Sequence, residues 1–93
     1  MEIDSIYGYN FTIIDIRDSY SYNISHLDNS INISFYKLLA NHKEILDKNK
    51  QYLLICETGV QSKMLMNTLN KMGYHTFSLK DGYRGLVKKG KIR

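Results

Sequence analysis

Proline is absent from this chain of 93 residues, and cysteine occurs once. At average usage about five prolines would be present. Asn, Ile, Lys and Tyr are abundant instead, so the missing proline reads as a compositional bias of the source genome. The single thiol, Cys56, excludes an internal disulfide, a zinc site built on several thiolates and a Cys-x-x-Cys redox pair. No run of about 18 apolar residues exists, so no membrane-spanning helix is expected. Met1-Glu2-Ile3-Asp4 lacks the basic and apolar regions of a secretory leader. With one unpaired cysteine, a reducing cytoplasm is the expected location. Acidic residues are missing from the last six positions, where Lys88, Lys89, Lys91 and Arg93 account for the whole formal net charge of +4. The body is therefore neutral and the excess is a basic tail, residues 88–93. A nucleic-acid-binding surface needs bases clustered on one face of the fold, so no nucleic-acid partner is expected.

The remaining composition, 43% hydrophobic and 24% charged, is that of one ordinary globular domain spanning residues 1–93. Thr12 to Ile16 is rich in β-branched residues and reads as a strand. Ser30 to Ile33 alternates and reads as another. Tyr52 to Ile55 is continuously apolar, as expected for a strand buried on both faces. His75 to Leu79 is a fourth strand, and a weak edge strand falls near Ile3 to Tyr7. Between them, Ser62 to Met72 places Leu65, Leu69 and Met72 on one stripe and ends before Gly73, a natural C′ residue. Phe35 to Leu46 reads as one helix with Ser34 as N-cap. Asp18 to Ile24 reads as a short helix. Strands alternating with helices imply an α/β fold with a mainly parallel sheet. Such sheets bind ligands outside the carboxyl ends of their strands.

Cys56 occupies that place, directly after the buried run. The segment Glu57-Thr58-Gly59-Val60-Gln61 separates it from the helix starting near Ser62. Gly59 permits positive φ, so the loop can curl. A curled loop points backbone N–H groups inward and forms an anion nest. The helix N-terminus adds partial positive charge at the same point. Both favour thiolate over thiol, and the thiolate is the nucleophile. Position alone also allows an inert core thiol, since free cysteine is commonly buried.

Several segments together decide more than the loop does. Ile13-Ile14-Asp15-Ile16-Arg17-Asp18 contains a strand ending in Asp-x-Arg. Tyr22-Asn23-Ile24-Ser25-His26-Leu27 precedes the strand Ser30 to Ile33. Leu54 to Ser62 forms the Cys-centred loop. Met72-Gly73-Tyr74 and Leu79-Lys80-Asp81-Gly82 follow. In order and spacing these segments resemble the rhodanese-like (sulfurtransferase) family, from about Phe11 to Val87. The resemblance implies a three-layer α/β fold, with a central sheet of four to five strands flanked by helices. It implies a catalytic Cys56 cradled by Glu57, Thr58, Gly59, Val60, Gln61 and Ser62. It further implies that sulfur moves from thiosulfate or a persulfide donor, through a Cys56 persulfide, to cyanide or a thiol that a protein can supply. No cofactor, metal or membrane is implied, and a monomer suffices.

The chain departs from the family pattern at particular residues. Leu27 is followed by Asp28-Asn29-Ser30 where a Pro-Gly is usual, and Asn29 can take the positive φ that a Gly would. Gln61 stands where an Arg is common. Glu57 puts an acid beside an anion site. The last turn, Asp81-Gly82-Tyr83-Arg84, lacks the usual second Gly and a nearby Trp. The N-terminal strand and helix are expected to be reduced. Asp15 and Arg17 read as a structural ion pair beside the loop, with Arg17 or Arg84 as alternative sources of positive charge for an anion. His26 reads as a hydrogen-bonded structural residue, and His42 and His75 as ordinary helix and strand residues. Two other functions stand against sulfur transfer. A phosphatase or arsenate reductase would need an Arg closing a Cys-x5-Arg loop, where Ser62 stands. A non-catalytic binding or regulatory module would explain Glu57 and the missing loop Arg.

Overall fold

The computed structural model describes residues 1–6 and 10–91. Among the described residues five strands are present: β1 (Glu2–Ile3), β2 (Thr12–Asp15), β3 (Ser30–Asn32), β4 (Gln51–Ile55) and β5 (His75–Leu79). They form one sheet in the order β1-β5-β4-β2-β3, with every pairing parallel. Connecting or following them among the described residues are five helices: α1 (Ser19–Ile24), α2 (Phe35–Ala40), α3 (His42–Ile45), α4 (Val60–Lys71) and α5 (Gly82–Lys88). The expected α/β class with a parallel sheet holds. The edge strand near the N-terminus is only two residues long, and Tyr7 lies outside the described residues.

β4 is central, and Leu53, Leu54 and Ile55 are each 0–1% exposed. Burying each of these side chains is worth about 1.5–3 kcal/mol. Because side chains alternate along a strand, Tyr52, Leu54 and Cys56 join one core with Leu38, Leu65 and Leu69 from α2 and α4. Leu53 and Ile55 join the opposite core with Ile3, Leu79 and Leu86 from β1, β5 and α5. Two cores on two faces make the three layers.

Three details differ from the sequence reading. The single helix expected over Phe35 to Leu46 is broken at Asn41, with φ −122° and ψ 26°. The Asn41 amide donates to Lys37 O (2.9 Å), competing locally with helix continuation. Ser34 is the N-cap position of α2, but its side chain makes no capping bond. α5 was not anticipated, so Lys88, assigned to a tail, closes a helix instead.

The short helix α1 buries none of its residues. Its start depends on Asp18, whose carboxylate accepts from Ser21 N (2.8 Å) and Ser21 Oγ (3.2 Å). Those bonds hold the Asp18 carboxyl below its ordinary value. A depressed carboxyl stabilises the fold above its unfolded pKa, and the contribution disappears as pH falls through the folded value. Asp18→Ala is therefore expected to speed amide exchange over residues 19–24 at neutral pH, with the difference from wild type vanishing in acid. Equal exchange at neutral pH would contradict this.

Candidate active site

Cys56 follows β4 at the carboxyl edge of the sheet and is 2% exposed. Its Sγ accepts from Gly59 N at 3.0 Å and from Ser62 N at 3.3 Å. The thiol donates to Ser62 Oγ at 3.3 Å. Ser62 Oγ in turn lies 2.6 Å from Ser78 Oγ, and both serines are 0% exposed. The sulfur thus sits among two N–H donors and a hydroxyl that is itself held by a second hydroxyl.

Local backbone shape makes this arrangement. Gly59 has φ +97°, and a Cβ there would lie 3.1 Å from Asp81 N and 3.3 Å from Leu79 O. The next residue, Val60, already begins α4, so Val60 and Gln61 form its first turn instead of a loop. The side chains of Thr58, Val60 and Gln61 are exposed. The start of the loop is pinned from α5: Tyr83 N donates to Cys56 O (2.8 Å) and Arg84 N to Glu57 O (3.0 Å). That approach requires a glycine at 82, where a Cβ would fall 2.5 Å from Cys56 O. The Asp81-Gly82 turn has positive φ at both residues (66° and 58°), and Asn29 likewise (69°).

Electrostatics around the loop are arranged by Arg17. Its guanidinium pairs with Asp15 through Nε and Nη2 at 2.8–3.1 Å, donates to Ser25 O (2.8 Å) and lies 3.8 Å over the Tyr83 ring. Arg17 is 7% exposed and Asp15 1%. Burial opposes the charge on Arg17, but the hydrogen bonds and charge of Asp15, with Glu57 adding to them, outweigh it and raise the pKa. Arg17 Nη1 also lies 3.9 Å from Glu57 Oε1, and Arg84 Nε 3.4 Å from Glu57 Oε2. The acid at 57 is therefore flanked by two guanidiniums. The four groups Asp15, Arg17, Glu57 and Arg84 sum to zero charge, so the local positive potential at Cys56 comes from the N–H dipoles of Gly59 and Ser62.

His26 stacks on Tyr22 (3.8 Å between centroids) and shares a hydrogen bond with Tyr22 O (2.7 Å). His42 contacts Tyr74 Oη (2.7 Å).

The sequence profile of the Rhodanese-like domain matches residues 4–89. The chain belongs to the rhodanese-like family. This rhodanese-like domain is 33% identical over 72 residues to the thiosulfate sulfurtransferase GlpE of Coxiella burnetii, covering 76% of this chain and 66% of that enzyme. It is 38% identical over 81 residues to the tRNA sulfurtransferase of Actinobacillus succinogenes, which covers 81% of this chain but only 16% of that protein. A rhodanese-related protein from Thermoplasma volcanium superposes with a TM-score of 0.79 at 28% identity, over 86% of this chain and 79% of that one.

Ser78 was not singled out from sequence, because a serine in an apolar strand gives no signal until its partner is known. Ser62 was included only as the end of the loop. Ser62→Ala in the rhodanese-like domain removes a buried hydroxyl from both Cys56 and Ser78. It is expected to destabilise by about 1–3 kcal/mol, the scale of an unsatisfied buried polar group. The melting temperature of Ser62→Ala against that of Ser62→Thr, which keeps the hydroxyl, checks this.

Proposed function

We propose that this rhodanese-like domain transfers a sulfane sulfur through a persulfide on Cys56. The observation that supports the reading most directly is the environment of Sγ, which accepts from two backbone N–H groups and donates to the Ser62 hydroxyl. Preorganised donors of this kind stabilise negative charge on sulfur in a dry site. When Cys56 loses its proton, the Ser62 hydroxyl can turn and donate to sulfur, while Ser78 donates to Ser62. The thiolate then attacks the outer sulfur of a donor such as thiosulfate. A new S–S bond forms, the donor's own S–S bond breaks, and sulfite leaves with the electron pair. A thiolate or cyanide next attacks the outer sulfur of the persulfide, and Cys56 departs as thiolate. No net oxidation of the protein occurs over the cycle, in which Cys56 is the nucleophile of the first half and the leaving group of the second. The residue following the α4 first turn in a Cys-x5-Arg enzyme would be an Arg, whereas Ser62 fills that place and faces the sulfur.

The experiment is intact-mass analysis after incubation with thiosulfate. One added sulfur atom, mapped to Cys56 and released by cyanide as thiocyanate, is the expected result. A folded protein that takes up no sulfur from thiosulfate or from a small persulfide would overturn the reading in favour of a non-catalytic module.

A further inference from the structure

The basic residues near the C-terminus are not remote from the loop. A groove of about 550 Å³ is lined by Thr58, Asp81, Arg84, Gly85, Lys88 and Lys89. It opens beside the Cys56 loop at Thr58 and runs along α5. Arg84 and Lys88, at i and i+4 on α5, and Lys89 just after the helix line it together with the carboxylate of Asp81; with Arg84 also facing Glu57, Lys88 and Lys89 supply the excess positive charge. Its floor is set by Gly85, which is buried and where a Cβ would fall 2.7 Å from Asp81 Cβ. Lys89 lies on the rim between this groove and a neighbouring one lined by Asp4, Ser5 and Ile6, where its Nζ donates to Asp4 O (3.1 Å). Arg84 faces both ways, because its Nε also contacts Glu57 in the loop.

From this placement we infer that the groove docks an acidic peptide segment of a protein thiol acceptor. This rests on the sulfur-transfer reading of Cys56. The occupant follows from charge and shape. The body of the chain is neutral, so the local excess of cations selects a partner carrying acids near its thiol. Among the described residues the lining contains no aromatic ring, and single-stranded nucleic acid binding relies on stacking against such rings. The Asp81 carboxylate further disfavours a continuous phosphate backbone, while an acidic peptide can set an amide or hydroxyl opposite it. In the transfer step, the acceptor thiolate bonds to the outer sulfur of the Cys56 persulfide. The Cys56–sulfur bond breaks, and the acceptor leaves as a persulfide.

The test uses two fluorescently labelled peptides with one cysteine each, one rich in Asp and Glu and one neutral. Their binding is measured by anisotropy to the full chain carrying Cys56→Ser, which needs no sulfur chemistry. The acidic peptide is expected to bind, to weaken with added salt, and to lose about tenfold in affinity when Lys88→Glu and Lys89→Glu are added. Circular dichroism checks that the doubly reversed protein is folded. With the native Cys56, the same reversal is expected to raise KM for the acidic peptide as sulfur acceptor about tenfold relative to the neutral one. Equal binding of both peptides, or acidic-peptide binding indifferent to Lys88 and Lys89, would overturn the inference. So would binding of an oligouridylate through these lysines in place of the peptide. Thiosulfate-to-cyanide turnover, which needs no peptide, reports separately on the chemistry at Cys56.

Discussion

Cys56→Ser is expected to bring thiosulfate-to-cyanide sulfur transfer down to the uncatalysed background, a loss on the order of a thousandfold or more. A serine hydroxyl is not ionised near neutral pH, and it cannot form the disulfide-type bond that holds the transferred sulfur. The substitution is close to isosteric. Gly59 N and Ser62 N can donate to an oxygen at that position as they do to Sγ. The melting temperature should therefore stay near that of the wild type while thiocyanate formation disappears. Turnover equal to wild type would remove Cys56 from the chemistry altogether.

The second large effect is on stability. Arg17→Ala is expected to destabilise the fold by about 3–5 kcal/mol, because it strands the buried carboxylate of Asp15. For a domain of this size that corresponds to a fall in melting temperature of roughly 12 °C or more. The Arg17 guanidinium makes three charge-assisted bonds to this one carboxylate. A lysine cannot reproduce that fork or the stacking on Tyr83, so Arg17→Lys should recover only part of the loss. The two roles considered for Arg17 separate here. A residue that merely attracts the donor would change KM and leave the melting temperature alone. A positioning residue lowers the melting temperature, and it disturbs the loop through Glu57 and Tyr83. Thermal unfolding with steady-state kinetics on the same variants distinguishes them.

The strands that build the site were legible because their residues say the same thing at every level. Tyr52 to Ile55 is apolar on both faces and lies at the middle of the sheet. Gly59 was legible as a turn residue, and Asn29 as a substitute for glycine. α5 was not, for a physical reason. It contains two glycines, both poor helix formers, and it is held in place by tertiary bonds to Cys56 O and Glu57 O and by the buried Leu86. The electrostatic role of Glu57 was equally hidden. In sequence it reads as an acid spoiling an anion site. In space Arg17 and Arg84, from segments far apart in the chain, flank it. The break at Asn41 was missed because apolar periodicity continues across it, through Leu38, Leu39, Ile45 and Leu46.

The strand order has a consequence for how the protein comes into being. β1 pairs only with β5, and β5 also borders β4, so the first strand of the sheet has no partner until the fifth exists. The same late segment supplies Ser78, and the turn after it supplies the N–H groups of Tyr83 and Arg84 that fix the Cys56 loop. During synthesis on the ribosome, Cys56 emerges well before any of these. Non-local parallel pairing is slow to form, so a nascent chain carries its thiol in an unassembled loop for a time. The cradle around that sulfur exists only once the chain has been made through residue 84 and has closed on itself.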